Sequence, residues 1–383
     1  MLNGLLATKM GKILLELLNA TLVKRPLNEE VIKNTTGVEW QRCFDLALGQ
    51  QVLAMTFPAM SALPKEQRSG FVLWSKWMAY AHNIAAQSMY KREVVRKLGG
   101  WLAEDGLSTM IIKGFSLAVL YPQPDLREFC DIDIFSGTGY EAVNACFRKH
   151  GVEVGKPDGH HARLTVDGVA VEHHHSFSNS RVRQGNAYSI EEVLQRLAIN
   201  DPRPTALLGI CFPCPTLTAL YTGWHAYKHF MHEKIELRHV IDWALALRQL
   251  TADEAEEVGK VKETLPWGRF ADTMTAIALH RIALPQEWFP EREVAAARCI
   301  SSEQEERVWN DIITAPHIAT RGTTLRRRVM IGRRLMKNRW KFNFYASISA
   351  ERFVWEEFVG YVNRKNEVYQ RLEKDEVWNK MNN

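Results

Sequence analysis

From Trp40 to Leu48 and from Phe71 to Leu98, apolar side chains recur every three or four positions, the period of a helix that buries one face. Pro26, Pro58 and Pro64 punctuate these helices. The pattern changes at Ser108. Thr109-Met110-Ile111-Ile112 is a short apolar run ending in Lys113-Gly114, which predicts a buried strand and a turn. Phe115 to Tyr121 reads as a short helix, stopped by Pro122 and Pro124. Alternation follows in Asp131-Ile132-Asp133-Ile134-Phe135, a strand with two carboxylates on one face and two isoleucines on the other. Gly137 and Thr138 open a helix through Lys149, with Gly151 just past its end as a cap.

Arg163 to Val166 and Val169 to Glu172 flank Asp167-Gly168, a dipeptide suited to a two-residue type I′ hairpin turn. That turn sets Val166 opposite Val169, Leu164 opposite Val171 and Arg163 opposite Glu172. The four aliphatic residues then share one face, to be covered by helices. His161, Arg163, Glu172 and His174 share the other, where a ligand is expected. From Pro215 the helical period returns, through Arg238 to Leu247, Trp267 to Leu284, Glu303 to Ile313 and Ser349 to Val377. The chain therefore predicts an α+β fold: an α/β unit with a mixed sheet at 99–205, embedded between helical regions at 1–98 and 206–383.

Composition narrows the function classes without choosing one. Of 383 residues 46% are hydrophobic and 24% charged, as in a globular protein with a sizeable core. A net charge of +5 permits an anionic ligand without demanding nucleic acid. Six dispersed cysteines do not make a secreted disulfide framework, and a reducing cytoplasm is the expected location. Cys211 and Cys214 have the gap of a zinc knuckle, but no second pair follows, so they are read as structural or incidental thiols. The apolar run from Ile13 to Leu18 is interrupted by Glu16 and flanked by Lys9, Lys12 and Lys24. It predicts an amphipathic helix and no membrane span.

The chemistry gathers around Asp131 and Asp133. Two like charges on one strand face repel, and a cation between them relieves the repulsion. The segment therefore suggests a divalent-metal site on a sheet. A strand-to-helix turn at Lys113-Gly114 suits a phosphate, which the backbone can approach closely. His160-His161 and His173-His174-His175 suggest imidazole ligands for a transition metal, although consecutive histidines on a strand alternate faces. His225 and His229 share a helical face four residues apart, but Ala226 stands where a zinc protease needs glutamate. They are expected to hydrogen-bond within the helical domain or to line the far wall of a cleft, with Asp242 bridged to Arg238. Arg326 to Lys341 is the most basic stretch and carries Trp340, with Phe342, Phe344 and Tyr345 just beyond. This suits contact with RNA, or a solvated helix face over a buried aromatic stripe.

Lys113-Gly114-Phe115-Ser116, Tyr121-Pro122, Arg127, Asp131-Ile132-Asp133-Ile134 and Val171-Glu172-His173 together resemble the polymerase beta-like nucleotidyltransferase superfamily. Within it the chain is similar to an uncharacterised bacterial nucleotidyltransferase-like family, which has Lys-Gly in place of the usual Gly-Ser turn. His225, His229, Arg238 and Asp242 match its helical C-terminal pattern. The resemblance implies that Asp131, Asp133 and Glu172 hold two Mg2+ or Mn2+ ions and carry catalysis. It implies that Lys113, Gly114, Ser116 and Arg127 bind the nucleotide. His161, Arg163, His174, His225 and His229 are candidate substrate contacts. The implied reaction moves a nucleotidyl group from a nucleoside triphosphate to a hydroxyl of unknown identity, on protein, RNA or a small molecule, and releases pyrophosphate. Two rival readings stand beside it: a nucleotide- or RNA-binding module without catalysis, and a transition-metal hydrolase using His161, Glu172 and His174.

Overall fold

The helical period at the start of the chain becomes helices α1 (Lys9–Val23), α2 (Glu29–Ile32), α3 (Gly37–Gly49), α4 (Leu53–Ala62) and α5 (Phe71–Glu104). These belong to a computed structural model that describes residues 9–157, 160–177, 187–232, 234–265, 267–314, 336, 338–346, 349 and 351–352. Thr36 starts α3 through a reciprocal cap: its hydroxyl accepts from the Glu39 N–H, and the Glu39 carboxylate accepts from the Thr36 N–H. The long α5 serves two cores. Trp77 packs in the first and donates to the Leu53 carbonyl, while Val94, Val95, Leu98 and Leu102 pack in the second, against the sheet.

The sheet has six strands, β1 (Thr109–Ile111), β2 (Ile132–Phe135), β3 (His161–Val166), β4 (Val169–His174), β5 (Arg203–Pro204) and β6 (Ile210–Phe212), in the spatial order β3-β4-β2-β1-β6-β5. It is mixed: β2 runs parallel to β4 and β1 parallel to β6, with the other pairs antiparallel. Helix α6 (Phe115–Ala118) is the short helix after the Lys113-Gly114 turn, and α7 (Tyr140–Lys149) follows β2. The hairpin has the register expected of an Asp-Gly turn. Both Asp167 and Gly168 sit at positive φ, and the pairs run from Val166↔Val169 out to His161↔His174. Ile132, Ile134, Leu164, Val166, Val169 and Val171 all turn to α5 and α7. Gly151, at φ +78, closes α7 as its sequence position suggests, donating to the Arg148 carbonyl.

Strands β5 and β6 carry no sequence pattern of their own. Three residues at Ile210–Phe212 are too few to establish a period, and β6 owes its place to its parallel pairing with β1. The chain is helical again in α8 (Ala187–Asn200), α9 (Pro215–His232), α10 (Leu237–Leu247), α11 (Ala252–Glu263), α12 (Gly268–His280), α13 (Glu291–Arg298), α14 (Ser302–Thr314) and α15 (Arg339–Tyr345). The helices on either side of the sheet share one core: Leu17 and Trp40 belong to the same cluster as Phe230, Trp243 and Phe270. Buried amides bind them together. Asn19 donates to the Ile282 and Ala283 carbonyls, and Gln50 bridges the Ile312 carbonyl and the Leu237 N–H.

Most of the basic stretch at 326–341, and nearly all of the helix expected over 349–377, lie outside the described residues. At Lys341 the expectation of a surface contact with RNA is corrected. Its ammonium is buried, paired with Asp311 at 2.6 Å, bonded to the Phe230 carbonyl and set over the Phe230 ring. A cation held by a carboxylate, a carbonyl and a ring inside the core offers nothing to a polyanion. Phe342 and Tyr345 are buried beside it. Cys211 and Cys214 are free thiols. Among the described residues, no helix is long and apolar enough to cross a membrane.

Candidate active site

Because β2 and β4 are parallel, Asp133 lies beside Glu172, and the antiparallel β3 sets Arg163 beside Glu172 in the same row. Alternation sends these side chains to the face opposite the isoleucines. There they meet a cleft of about 730 Å³, whose walls include Asp131, Asp133, Glu172, Lys113, Gly114, His160, His161 and Arg163. Tyr221, His225, Lys228 and His229 of α9 and Arg238, His239 and Asp242 of α10 line it as well. The carboxylates thus sit on the sheet and are faced by a wall of cations and imidazoles.

The two aspartates have opposite electrostatics. Asp133 is buried, and burial alone would raise its carboxyl. Lys113 at 3.0 Å and the His174 Nε2–H at 2.9 Å, both on Oδ1, outweigh that and hold it at about 2. Asp131 stands just before β2 and has no such partners among the described residues. Burial, then the charge of Asp133, with a smaller share from Glu172, raises its carboxyl, and Lys113 offsets this only in part. Glu172 faces Arg163 Nε at 3.3 Å and His161 Nε2 at 3.4 Å through Oε1. Among the described residues, Asp133, Glu172 and His174 form one of two groups whose ligand atoms are close enough to hold a metal ion.

The Lys113-Gly114 turn abuts the acidic strand. Gly114 is at φ +61, and a Cβ there would lie 3.3 Å from the Asp131 carbonyl and from the Phe129 ring. The positive φ favours glycine here, and the close approach of the strand leaves little room for a side chain. Burial would lower the Lys113 ammonium, but the Asp133 carboxylate keeps it raised. Ser116 is buried below the turn, and its hydroxyl has no partner among the described residues. Lys113, Gly114 and Leu117 form the cleft wall there.

Arg127, expected to bind the nucleotide, is engaged within the fold. Nε and Nη2 donate to the two oxygens of Asp242, each at 2.7 Å, and Nη1 donates to the Gly114 carbonyl at 3.1 Å. The side chain is 2% exposed. Three of its five N–H groups are engaged in this way, and a triphosphate that took the two facing Asp242 would have to break a buried bidentate pair. Arg238, expected to bridge Asp242, is the more distant partner at 3.7 Å.

His173 faces away from the cleft, bonded to Asn144 and Ser136 and stacked near Tyr140. His161 and His174 are on the cleft side, as the register requires. His225 and His229 do form the far wall, with ring centres 4.5 Å apart and His239 beside them. Burial pushes both well below the usual imidazole range, with the Lys113 charge adding to it. Lys228, one turn from His225 on the same face, went unnoticed in the sequence. The signal was available in the spacing Tyr221, His225, Lys228, a polar stripe on an otherwise apolar helix. Burial, then the Lys113 charge, lowers its ammonium to about 8.

The sequence profile of an uncharacterised nucleotidyltransferase family matches residues 36–282, well over half of the chain and including every residue of the cleft. The chain belongs to this family. It is a nucleotidyltransferase-family enzyme, and the mixed sheet flanked by helices is an α+β nucleotidyltransferase fold. Neither the curated proteins nor the solved structures yielded a match.

Proposed function

We propose that the cleft transfers a nucleotidyl group from a nucleoside triphosphate to a hydroxyl acceptor, with Asp131, Asp133 and Glu172 holding divalent Mg2+ or Mn2+. The observation that carries this reading is geometric: Asp133 and Glu172 are neighbours across parallel strands, and Asp131 opens on the same cleft beside the Lys113-Gly114 turn. Three carboxylates gathered in one cleft suit a hard cation with oxygen ligands. Such ions, when bound, neutralise charge at the reacting phosphate and lower the pKa of the acceptor hydroxyl.

The residues of the chain then divide the work. Lys113, at the edge of the cleft, pairs with Asp133 in this structure. Lys113 would turn from Asp133 to the phosphates of a bound nucleotide if that carboxylate held a metal ion. Gly114 brings the backbone close enough for phosphate contact. Lys228 and Arg238 add positive charge on the opposite wall. Arg127 and Ser116 stay with the scaffold: one fixes the turn through the Gly114 carbonyl and the other is buried beneath it. In-line attack by the acceptor oxygen on the α-phosphorus forms one P–O bond as the bond to pyrophosphate breaks.

Glu172 lies at the hairpin side of the row, away from Lys113, where the acceptor is expected. Glu172→Gln should therefore lower turnover by about a hundredfold or more and change nucleotide affinity by less than about threefold. Comparable loss in single-turnover rate and in nucleotide dissociation constant would contradict that division.

Each of the four nucleoside triphosphates, labelled at the α-phosphate, would be incubated with purified protein, Mg2+ or Mn2+ and cell extract as the source of acceptor. Label entering a macromolecule or small molecule, with pyrophosphate released and with Asp131→Asn inactive, is the expected result. Absence of transfer from all four, together with absence of a thermal shift by any nucleotide and metal pair, would overturn the reading.

A further inference from the structure

Beside the carboxylate row, three imidazoles meet. His161 and His174 are cross-strand partners. His160 lies just outside β3, where strand alternation no longer applies, and its ring comes to the same side. Its centre is 4.8 Å from that of His161 and 5.1 Å from that of His174. One ring nitrogen from each residue lies within 4.8 Å of those of the other two.

The hydrogen-bond pattern gives this cluster a direction. His174 Nε2 donates to Asp133, a carboxylate that only accepts. The other ring nitrogen, Nδ1, is the one a neutral imidazole in that tautomer offers to a metal ion. That atom is buried and has no hydrogen-bond partner among the described residues, on a side chain with no exposure. His161 repeats the arrangement: Nε2 faces Glu172 at 3.4 Å, and Nδ1 is buried without a hydrogen-bond partner among the described residues. A buried, unpaired imidazole nitrogen is costly, and two of them beside a third ring need an explanation. Metal-ligating histidines show this pattern, donating one N–H to a carboxylate and turning the other nitrogen to the ion.

We infer that His160, His161 and His174 bind one borderline divalent cation, Zn2+ foremost, at a site distinct from the Asp131, Asp133 and Glu172 carboxylates. Three nitrogen ligands leave a fourth position, as in open zinc sites. Imidazole selects Zn2+ over Mg2+, so the hard and borderline ions do not compete for the same ligands. Asp133 and Glu172 become the outer partners of His174 and His161. The ion would thereby fix the orientation of two carboxylates that face the cleft. The ammonium groups of Lys113 and Lys228 oppose a cation nearby, which places the expected affinity in the micromolar range, below that of a closed structural zinc site. The inference does not rest on nucleotidyl transfer.

The test uses the full chain and Zn2+ alone. Protein is dialysed against micromolar free Zn2+ in millimolar Mg2+, and bound metal is counted by elemental mass spectrometry. One zinc per chain is expected in the wild type. His160→Ala and His161→Ala, at partly buried positions, should each weaken Zn2+ binding at least about tenfold. Asp131→Asn should keep its zinc while losing Mg2+-dependent nucleotide binding, which separates this site from the catalytic reading. Less than a tenth of a zinc per wild-type chain would overturn the inference. So would zinc that survives both histidine substitutions, or zinc that leaves in Asp131→Asn.

Discussion

Asp131→Asn should abolish Mg2+-dependent nucleotide binding and reduce turnover at least about a thousandfold, while the protein melts no lower than the wild type. The activity loss follows from removing a ligand to a cation that supplies several kcal/mol of transition-state stabilisation. The preserved stability follows from the electrostatics: this carboxyl is raised by burial, then by Asp133, so its charge is unfavourable in the fold. A raised carboxyl costs stability where it is ionised, and removing the charge removes that cost. Asp133→Asn should also be inactive, for a different balance of reasons. Its carboxyl is held at about 2, so its favourable contribution is present above the ordinary aspartate range and is lost as pH falls toward 2. Replacing it leaves Lys113 without its 3.0 Å partner in a largely buried place, which should destabilise by about 3 kcal/mol. Isothermal titration with nucleotide and Mg2+, paired with thermal unfolding in Mg2+-free buffer, checks both variants. Wild-type nucleotide affinity in Asp131→Asn would remove that residue from the site. A lower melting temperature there would show that its charge is already compensated.

The different behaviour of two residues in one Asp-Ile-Asp segment shows where sequence reasoning stops. Alternation alone places both carboxylates on one face, and the Asp-Gly turn alone fixes Glu172 on the cleft side. Both are local rules, and the register from Val166↔Val169 to His161↔His174 bears them out. Nothing local says that His174 will reach across from β4 to Asp133, because that contact depends on β2 and β4 being neighbours. For Lys228 the polar stripe with Tyr221 and His225 was legible on α9, but that it faces Lys113 depends on how α9 docks over the sheet. His160 was legible as a histidine but not as a convergent one, since strand alternation predicts the wrong side for a residue that has already left the strand. Arg127 shows the same limit. The resemblance implied a nucleotide contact, and nothing local points to its partner Asp242, 115 positions away.

That partner also gives the cleft its rigidity. Arg127 comes from the segment that leads into β2, Asp242 from α10, and Tyr121, which donates to Asp242 Oδ1 at 2.6 Å, from the chain after α6. The same guanidinium reaches the Gly114 carbonyl. One buried group therefore ties the sheet, the Lys113-Gly114 turn and the helical wall together. Arg127→Met should destabilise the protein by about 3–5 kcal/mol, because it leaves the Asp242 carboxylate buried without its partner. Asp242→Leu should cost a similar amount by stranding Arg127. The double variant should recover much of the loss, since the charge that each single substitution orphans is then gone. Urea unfolding of the four proteins measures this cycle. The pair should also give acid sensitivity: burial would raise the Asp242 carboxyl, but Arg127 holds it below the usual range, so its contribution is lost as pH falls below about 4. Arg127→Lys separates this role from a phosphate contact. Lysine keeps the charge but cannot hold both oxygens of Asp242 and the Gly114 carbonyl in one plane, so stability should fall. Wild-type stability with nucleotide affinity reduced tenfold would instead return Arg127 to the triphosphate.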